Sequence, residues 1–125
     1  MFCVRVAVLL TILSASCAPA QVLHLIPLPR EIQEGGVQAM PQGVHIICTS
    51  CLSDPQDNFT MQDLTQTLAA RGIPSGGSFT VSLTRTQTLP EEMKAEGYTI
   101  TPGSSPNSMV LAASSSAGLF YAAQT

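Results

Sequence analysis

Cations are scarce in this 125-residue chain, with five Lys and Arg against eight Asp and Glu and a formal net charge of −3. Nothing in it is basic enough to attract nucleic acid by counterion release or an anionic bilayer by surface potential. Charged residues make up only 10% of the sequence. Glycine-rich phosphate loops, G-x-S-x-G elbows and His-Glu helix motifs are missing, which removes the usual sequence marks of nucleotide binding, Ser hydrolases and zinc proteases. There is no internal repeat, heptad or low-complexity tract. No cofactor is implied.

What is present begins with a leader. A short n-region ends in Arg5, an apolar run covers residues 6–13, and Ala18-Pro-Ala20 supplies small residues at the positions a signal peptidase reads. The run is too short to span a bilayer as a helix. The order predicts a secretory signal over residues 1–20, cleaved between Ala20 and Gln21. Localisation is then secreted, periplasmic or lysosomal/extracellular. A second reading takes Ser14-Ala-Ser-Cys17 as a lipoprotein box, which would tie the chain to a membrane through Cys17. Without the leader, four cations face eight carboxylates, a net charge of −4.

Subtracting the leader also removes Cys3 and Cys17. Cys48 and Cys51 remain, spaced C-x-x-C, and in an exported chain they can close a local disulfide. His45-x-x-Cys48-x-x-Cys51 invites a zinc reading. On a strand, however, His45 and Cys48 diverge, and only His24 could serve as a fourth ligand. A redox motif would open a helix in a βαβ setting, whereas a polar loop follows here.

Hydrophobic periodicity and turn residues predict the elements. Residues 22–26 are apolar, and Pro27 and Pro29 keep the following stretch extended. Residues 37–40 are expected as a short strand and 44–48 as a better one, rich in β-branched side chains. Residues 53–58 read as a polar loop. A helix is predicted from about 61 to 71, with Thr60 and Asp63 as a capping box, Phe59 and Leu64 as a hydrophobic staple, and Gly72 at its end. The period then changes to two: Phe79, Val81 and Leu83 alternate with Thr80, Ser82 and Thr84. Strands at 97–101 and 108–113 are expected to pair as an antiparallel hairpin. A helix over 117–124 closes the chain without a Gly or Pro stop, so the chain is expected to be a truncated piece. The sum is an α+β two-layer sandwich, with a mostly antiparallel sheet covered on one face by two helices.

Two segments resemble a known family. The first is Leu25-Ile-Pro-Leu-Pro-Arg-Glu-Ile32. The second is Glu96-Gly-Tyr-Thr-Ile-Thr, followed by Ser108-Met-Val-Leu-Ala-Ala-Ser and Ala117-Gly-Leu-Phe-Tyr-Ala-Ala-Gln-Thr125. Together they resemble the N-terminal domain of glycoside hydrolase family 20, the β-N-acetylhexosaminidases. The resemblance spans nearly all of residues 22–125 and is specific at the two ends. Ala122 stands where the family commonly has Gly. O-GlcNAcase-like enzymes carry a similar domain. The resemblance implies a catalytic (β/α)8 barrel as partner, a glycan substrate bound through that barrel, and interdomain packing by Leu119, Phe120 and Tyr121.

The chemistry of that family is not in these residues. The resemblance implies an adjacent Asp-Glu pair in the barrel, with the substrate's acetamido group as nucleophile. No Asp-Glu dipeptide occurs in the sequence. Glu91-Glu92 reads as a solvated loop or first helical turn. Tyr98 and Phe79 read as core rather than as a sugar-stacking surface. Asn58-Phe-Thr60 is a glycosylation sequon. The competing reading is a stand-alone exported module that binds carbohydrate or protein. A smaller alternative is a redox or metal protein built on Cys48 and Cys51.

Overall fold

The computed structural model describes residues 29–33, 35, 39 and 41–125. The leader with Cys17, Ala20 and Gln21, the segment at 22–28, and all of the 37–40 strand except Ala39 lie outside the described residues. Ala39 itself is not in a strand. The elements are β1 (Val44–Cys48), α1 (Pro55–Ala70), β2 (Phe79–Arg85), a short 3-10 turn (Glu91–Met93), β3 (Tyr98–Pro102), β4 (Ser108–Ala113) and α2 (Ser116–Gln124).

The sheet runs in the order β1-β2-β4-β3. β1 pairs parallel with β2, and β2 parallel with β4. Only β3 and β4 are antiparallel, as the predicted hairpin. The sheet is therefore mixed, which corrects the expectation of a mostly antiparallel one. The cause is the connections: α1 carries the chain from the end of β1 back to the start of β2, and such a crossover returns the next strand in the same direction. The chain then swings to the outer edge for β3, and the hairpin lays β4 between β3 and β2.

Helix α1 starts six residues before the predicted position. Asp54 is its N-cap, accepting from the N–H of Gln56 at 2.9 Å and of Asp57 at 3.4 Å, and Pro55 fills the first helical position. Proline is suited to that position because its missing N–H has no partner there anyway. Thr60 is thus interior to the helix, where its hydroxyl donates to the Gln56 carbonyl at 3.1 Å. The expected capping box is displaced by a better cap upstream. The C-terminus is as predicted: Gly72 takes φ +83°. Its N–H donates to Ala69 and that of Ile73 to Leu68, the two bonds of a Schellman motif.

Both helices pack on one face of the sheet. Val44, Val81, Leu83, Leu111 and Ala113 point into a core closed by Ile73, Leu119 and Ala122. Met61, Leu64 and Leu68 of α1 and Phe79 and Tyr98 of the sheet border it. Leu83 and Leu119 have no exposed surface, and full burial of each side chain contributes about 1.5–3 kcal/mol. Gly118 lets α2 sit close to the sheet, since a Cβ there would stand 2.5 Å from the Gly97 carbonyl oxygen. The opposite face carries Thr80, Ser82 and Thr84 on β2 and Thr99 and Thr101 on β3, beside Ile47 of β1, which is 44% exposed.

Candidate functional site

The register of β2 and β4 places Arg85 opposite Ala113, on the covered face and at the end of the strand. Its guanidinium reaches up between the N-termini of both helices. Nε donates to Asp57 Oδ2 at 2.9 Å, one terminal nitrogen to the Ser114 carbonyl at 2.7 Å, and the other to Asp54 Oδ2 at 3.2 Å and Ser116 Oγ at 3.0 Å. Ser116 Oγ in turn donates to Asp54 Oδ2 at 3.1 Å. Ser50 Oγ donates to Asp57 Oδ2 from the loop after β1. Asp57 is fully buried, and its Oδ1 has no hydrogen-bond partner. The Asp54 carboxyl is held below its ordinary value, first by the N–H of Gln56.

This cluster ties α1, α2, β2 and the β1–α1 loop together at one point. Two carboxylates share one guanidinium, and the deeper of them is closed to solvent. Such groups are committed to an ion pair rather than poised for proton transfer to a ligand. The cluster has little local signature in the sequence. The available mark was the dipeptide Asp54-Pro55, a cap followed by proline in the first turn. Nothing local marked Arg85, whose partners lie 28 to 31 residues away.

In front of the cluster, a shallow groove runs between the N-terminal halves of the helices. It is lined by Pro55, Phe59, Ser116, Ala117, Phe120 and Tyr121, together with Gln56 and Thr60. The Phe59 and Phe120 rings stack with centroids 6.2 Å apart and planes at 29°. Tyr121 lies against Phe120 at 6.1 Å and 59°. Phe59, placed in the sequence reading as a staple partner of Leu64, is 59% exposed and pairs across the groove instead. Leu119, expected at an interdomain surface, lies in the domain's own core. The helical period explains the split: Leu119 and Ala122 face the sheet, which turns the neighbouring Phe120 toward α1.

The remaining marked residues are scattered. Cys48 and Cys51 are joined by a disulfide, with Cα atoms 5.5 Å apart. His45 is exposed, one residue out of step with Cys48 on β1, and no group of three His, Cys, Asp or Glu side chains suited to a metal occurs among the described residues. Asn58 is half-buried on α1 and accepts from Gln62 Nε2 at 3.4 Å, while Thr60 of the same sequon is buried. Glu91 and Glu92 are exposed in the 3-10 turn, and Lys94 pairs with Glu91.

Residues 22–125 match the family described as glycosyl hydrolase family 20, domain 2. The chain belongs to that family. No curated protein matches it. Among solved structures, a GH138 enzyme targeting pectin rhamnogalacturonan II resembles it with a TM-score of 0.52 and 15% identity, over 65% of this chain and 12% of that one. At that identity the likeness is one of fold, and the chain spans about an eighth of the length of that enzyme. The family-20 domain thus supplies an α+β scaffold with an aromatic groove at the open end of its helix pair. Its carboxylates at that end are already engaged by Arg85.

Proposed function

We propose that this chain is the non-catalytic α+β domain of an exported β-N-acetylhexosaminidase that hydrolyses terminal N-acetylhexosamine residues in its intact form. The observation that carries the reading is the family match across residues 22–125 in a sequence that contains no Asp-Glu dipeptide. In this reading residues 1–20 are the export signal, and a (β/α)8 barrel in the same protein binds the glycan and supplies the catalytic pair. The Phe59–Phe120–Tyr121 groove is the surface this domain offers to that barrel. Aromatics at a groove that are exposed, as Phe59 is, or only partly covered, as Phe120 and Tyr121 are, are the kind of side chain an interface covers.

The test has two parts. The coding sequence beyond codon 125 should continue into a barrel containing an Asp-Glu pair. The pure 125-residue chain should release no product from a chromogenic N-acetylglucosaminide. Hydrolysis by that chain alone would overturn the assignment. The stacked pair of Phe59 and Phe120 also favours, as a second reading, a stand-alone module that binds sugar on its aromatic groove. Calorimetry with chitin fragments separates the two, because only the second expects saturable heat that is lost in Phe120→Ala.

A further inference from the structure

One residue belongs to both the C-x-x-C loop and the buried ion-pair cluster. Ser50 lies inside the ring closed by Cys48 and Cys51. Its hydroxyl donates to the buried Asp57 carboxylate. Its carbonyl accepts the N–H of Asp54 at 2.9 Å, the N–H of Ser53 at 3.0 Å and the hydroxyl of Ser53 at 3.0 Å. Asp54 is the N-cap of α1 and a partner of both Arg85 and Ser116. A residue inside the disulfide ring therefore bonds the Asp57 carboxylate through its hydroxyl and the Asp54 backbone through its carbonyl. We propose that the Cys48–Cys51 disulfide is a redox-opened clamp which, through Ser50, holds the N-terminus of α1 on the Asp57–Arg85 ion pair.

The disulfide is placed to be opened. Cys48 and Cys51 are only half-buried, and Leu52 next to them is fully exposed. A dithiol reductant delivers two electrons. The sulfur–sulfur bond breaks, two thiols form on Cys48 and Cys51, and the reductant leaves as its own disulfide. β1 is also held to β2 by a parallel pairing that runs from Val44 to Cys48, so the strand has a restraint other than the disulfide. What is lost is the restraint on Ser50. Asp57 is then left with Arg85 as its one remaining donor, and a buried carboxylate that loses a hydrogen bond is destabilised out of proportion to the bond itself. The groove follows, since Pro55 and Gln56 of the α1 N-terminus and Ser116 of the α2 N-terminus line it. The same chain would have a tight helix junction in an oxidising compartment and a loosened one in a reducing compartment. This inference is independent of the proposed glycosidase context.

Amide hydrogen exchange on the full chain tests it, with mass spectrometry after alkylation identifying which cysteines have opened. Reduction by dithiothreitol should speed exchange at Gln56, Asp57 and Asn58 about tenfold, while Val81, Leu83 and Leu111 keep their protection. Ser50→Ala should already show the fast rates when oxidised and respond little to reduction. Ser50→Thr, which keeps the hydroxyl, should respond as the unmodified chain does, and the comparison of the unmodified chain oxidised and reduced tests the clamp even if the alanine variant does not fold. Unchanged protection at 56–58 in the reduced chain overturns the proposal. Loss of protection in β2 and β4 together with α1 also overturns it, because the disulfide would then be a global staple.

Discussion

Arg85 Nε stands 2.9 Å from Asp57 Oδ2, and the carboxylate it meets has no exposed surface at all. The pair sits where β2 ends beneath the N-termini of both helices. Burying a carboxylate without a countercharge costs several kcal/mol, so the two residues act as one unit. Arg85→Ala should lower the unfolding free energy by about 3–5 kcal/mol, read from the urea midpoint at constant slope. Arg85→Met combined with Asp57→Leu should recover most of that loss, because Asp54, the carboxylate then left without Arg85, is partly exposed and no fully buried charge remains. A double variant as weak as Arg85→Ala alone would show that the pair's value is not the avoidance of a buried charge.

Leu119 and Phe120 are neighbours in sequence with opposite roles. Leu119→Ala removes a side chain that is wholly buried and should cost about 2–5 kcal/mol. Phe120 is only partly covered, and Phe120→Ala should cost less than Leu119→Ala in this chain. Thermal unfolding of the two variants checks the order. Equal losses would mean that the aromatic pair belongs to the domain's own core.

Gly118→Ala tests the close approach of α2 to the sheet. Alanine favours a helix interior over glycine by about 1 kcal/mol. The added methyl would nonetheless meet the Gly97 carbonyl at 2.5 Å, the Ala113 methyl at 3.0 Å and the Glu96 carbonyl at 3.2 Å. Backbone on β3's approach cannot yield as a flexible side chain would. The expected net effect is a loss of about 1–3 kcal/mol, seen as a fall in Tm. A rise in Tm would mean that α2 can shift outward freely.

Asp54 sets the acid behaviour of the junction. The Gln56 N–H holds its carboxyl below the ordinary value of 3.8, against an opposing effect of desolvation and with help from the Asp57 N–H, Ser116 and Arg85. A depressed folded-state pKa stabilises the fold above the unfolded-state value, and that contribution is lost as pH falls through the folded-state value. The effect therefore lies below about pH 3.8. Titration of the Asp54 carboxyl carbon by NMR should give a midpoint under that value. Asp54→Asn, which retains a capping oxygen, should remove this part of the acid sensitivity. A midpoint at or above 3.8 contradicts the assignment.

Local pattern and tertiary contact divided the information about this domain in a physical way. The alternation Phe79-Thr80-Val81-Ser82-Leu83 was enough for β2, since a half-buried strand requires period two. Gly72 marked the end of α1, since only a residue at ease with positive φ closes a Schellman turn. The hairpin of β3 and β4 was legible from one short polar loop between two apolar runs. The start of α1 was misread because two caps compete in sequence, Asp54 before Pro55 and Thr60 before Asp63. Asp54 wins through a guanidinium and a hydroxyl brought from 31 and 62 residues away. Strand direction was misjudged for a related reason: antiparallel pairing is decided by a tight turn, whereas parallel pairing is decided by where a crossover helix comes to rest.

The sequence alone determined the family, the scarcity of positive charge, the lack of an Asp-Glu pair and the positions of most elements. Each of these is carried by residue identity or by short-range spacing. Only the tertiary structure decided that Arg85 is shared by Asp54 and Asp57, that Phe59 meets Phe120 across a groove, and that Leu119 belongs to the core rather than to a surface. Those three depend on which helix face rests on which strand, a choice made by burial across the whole sheet and not by neighbours along the chain.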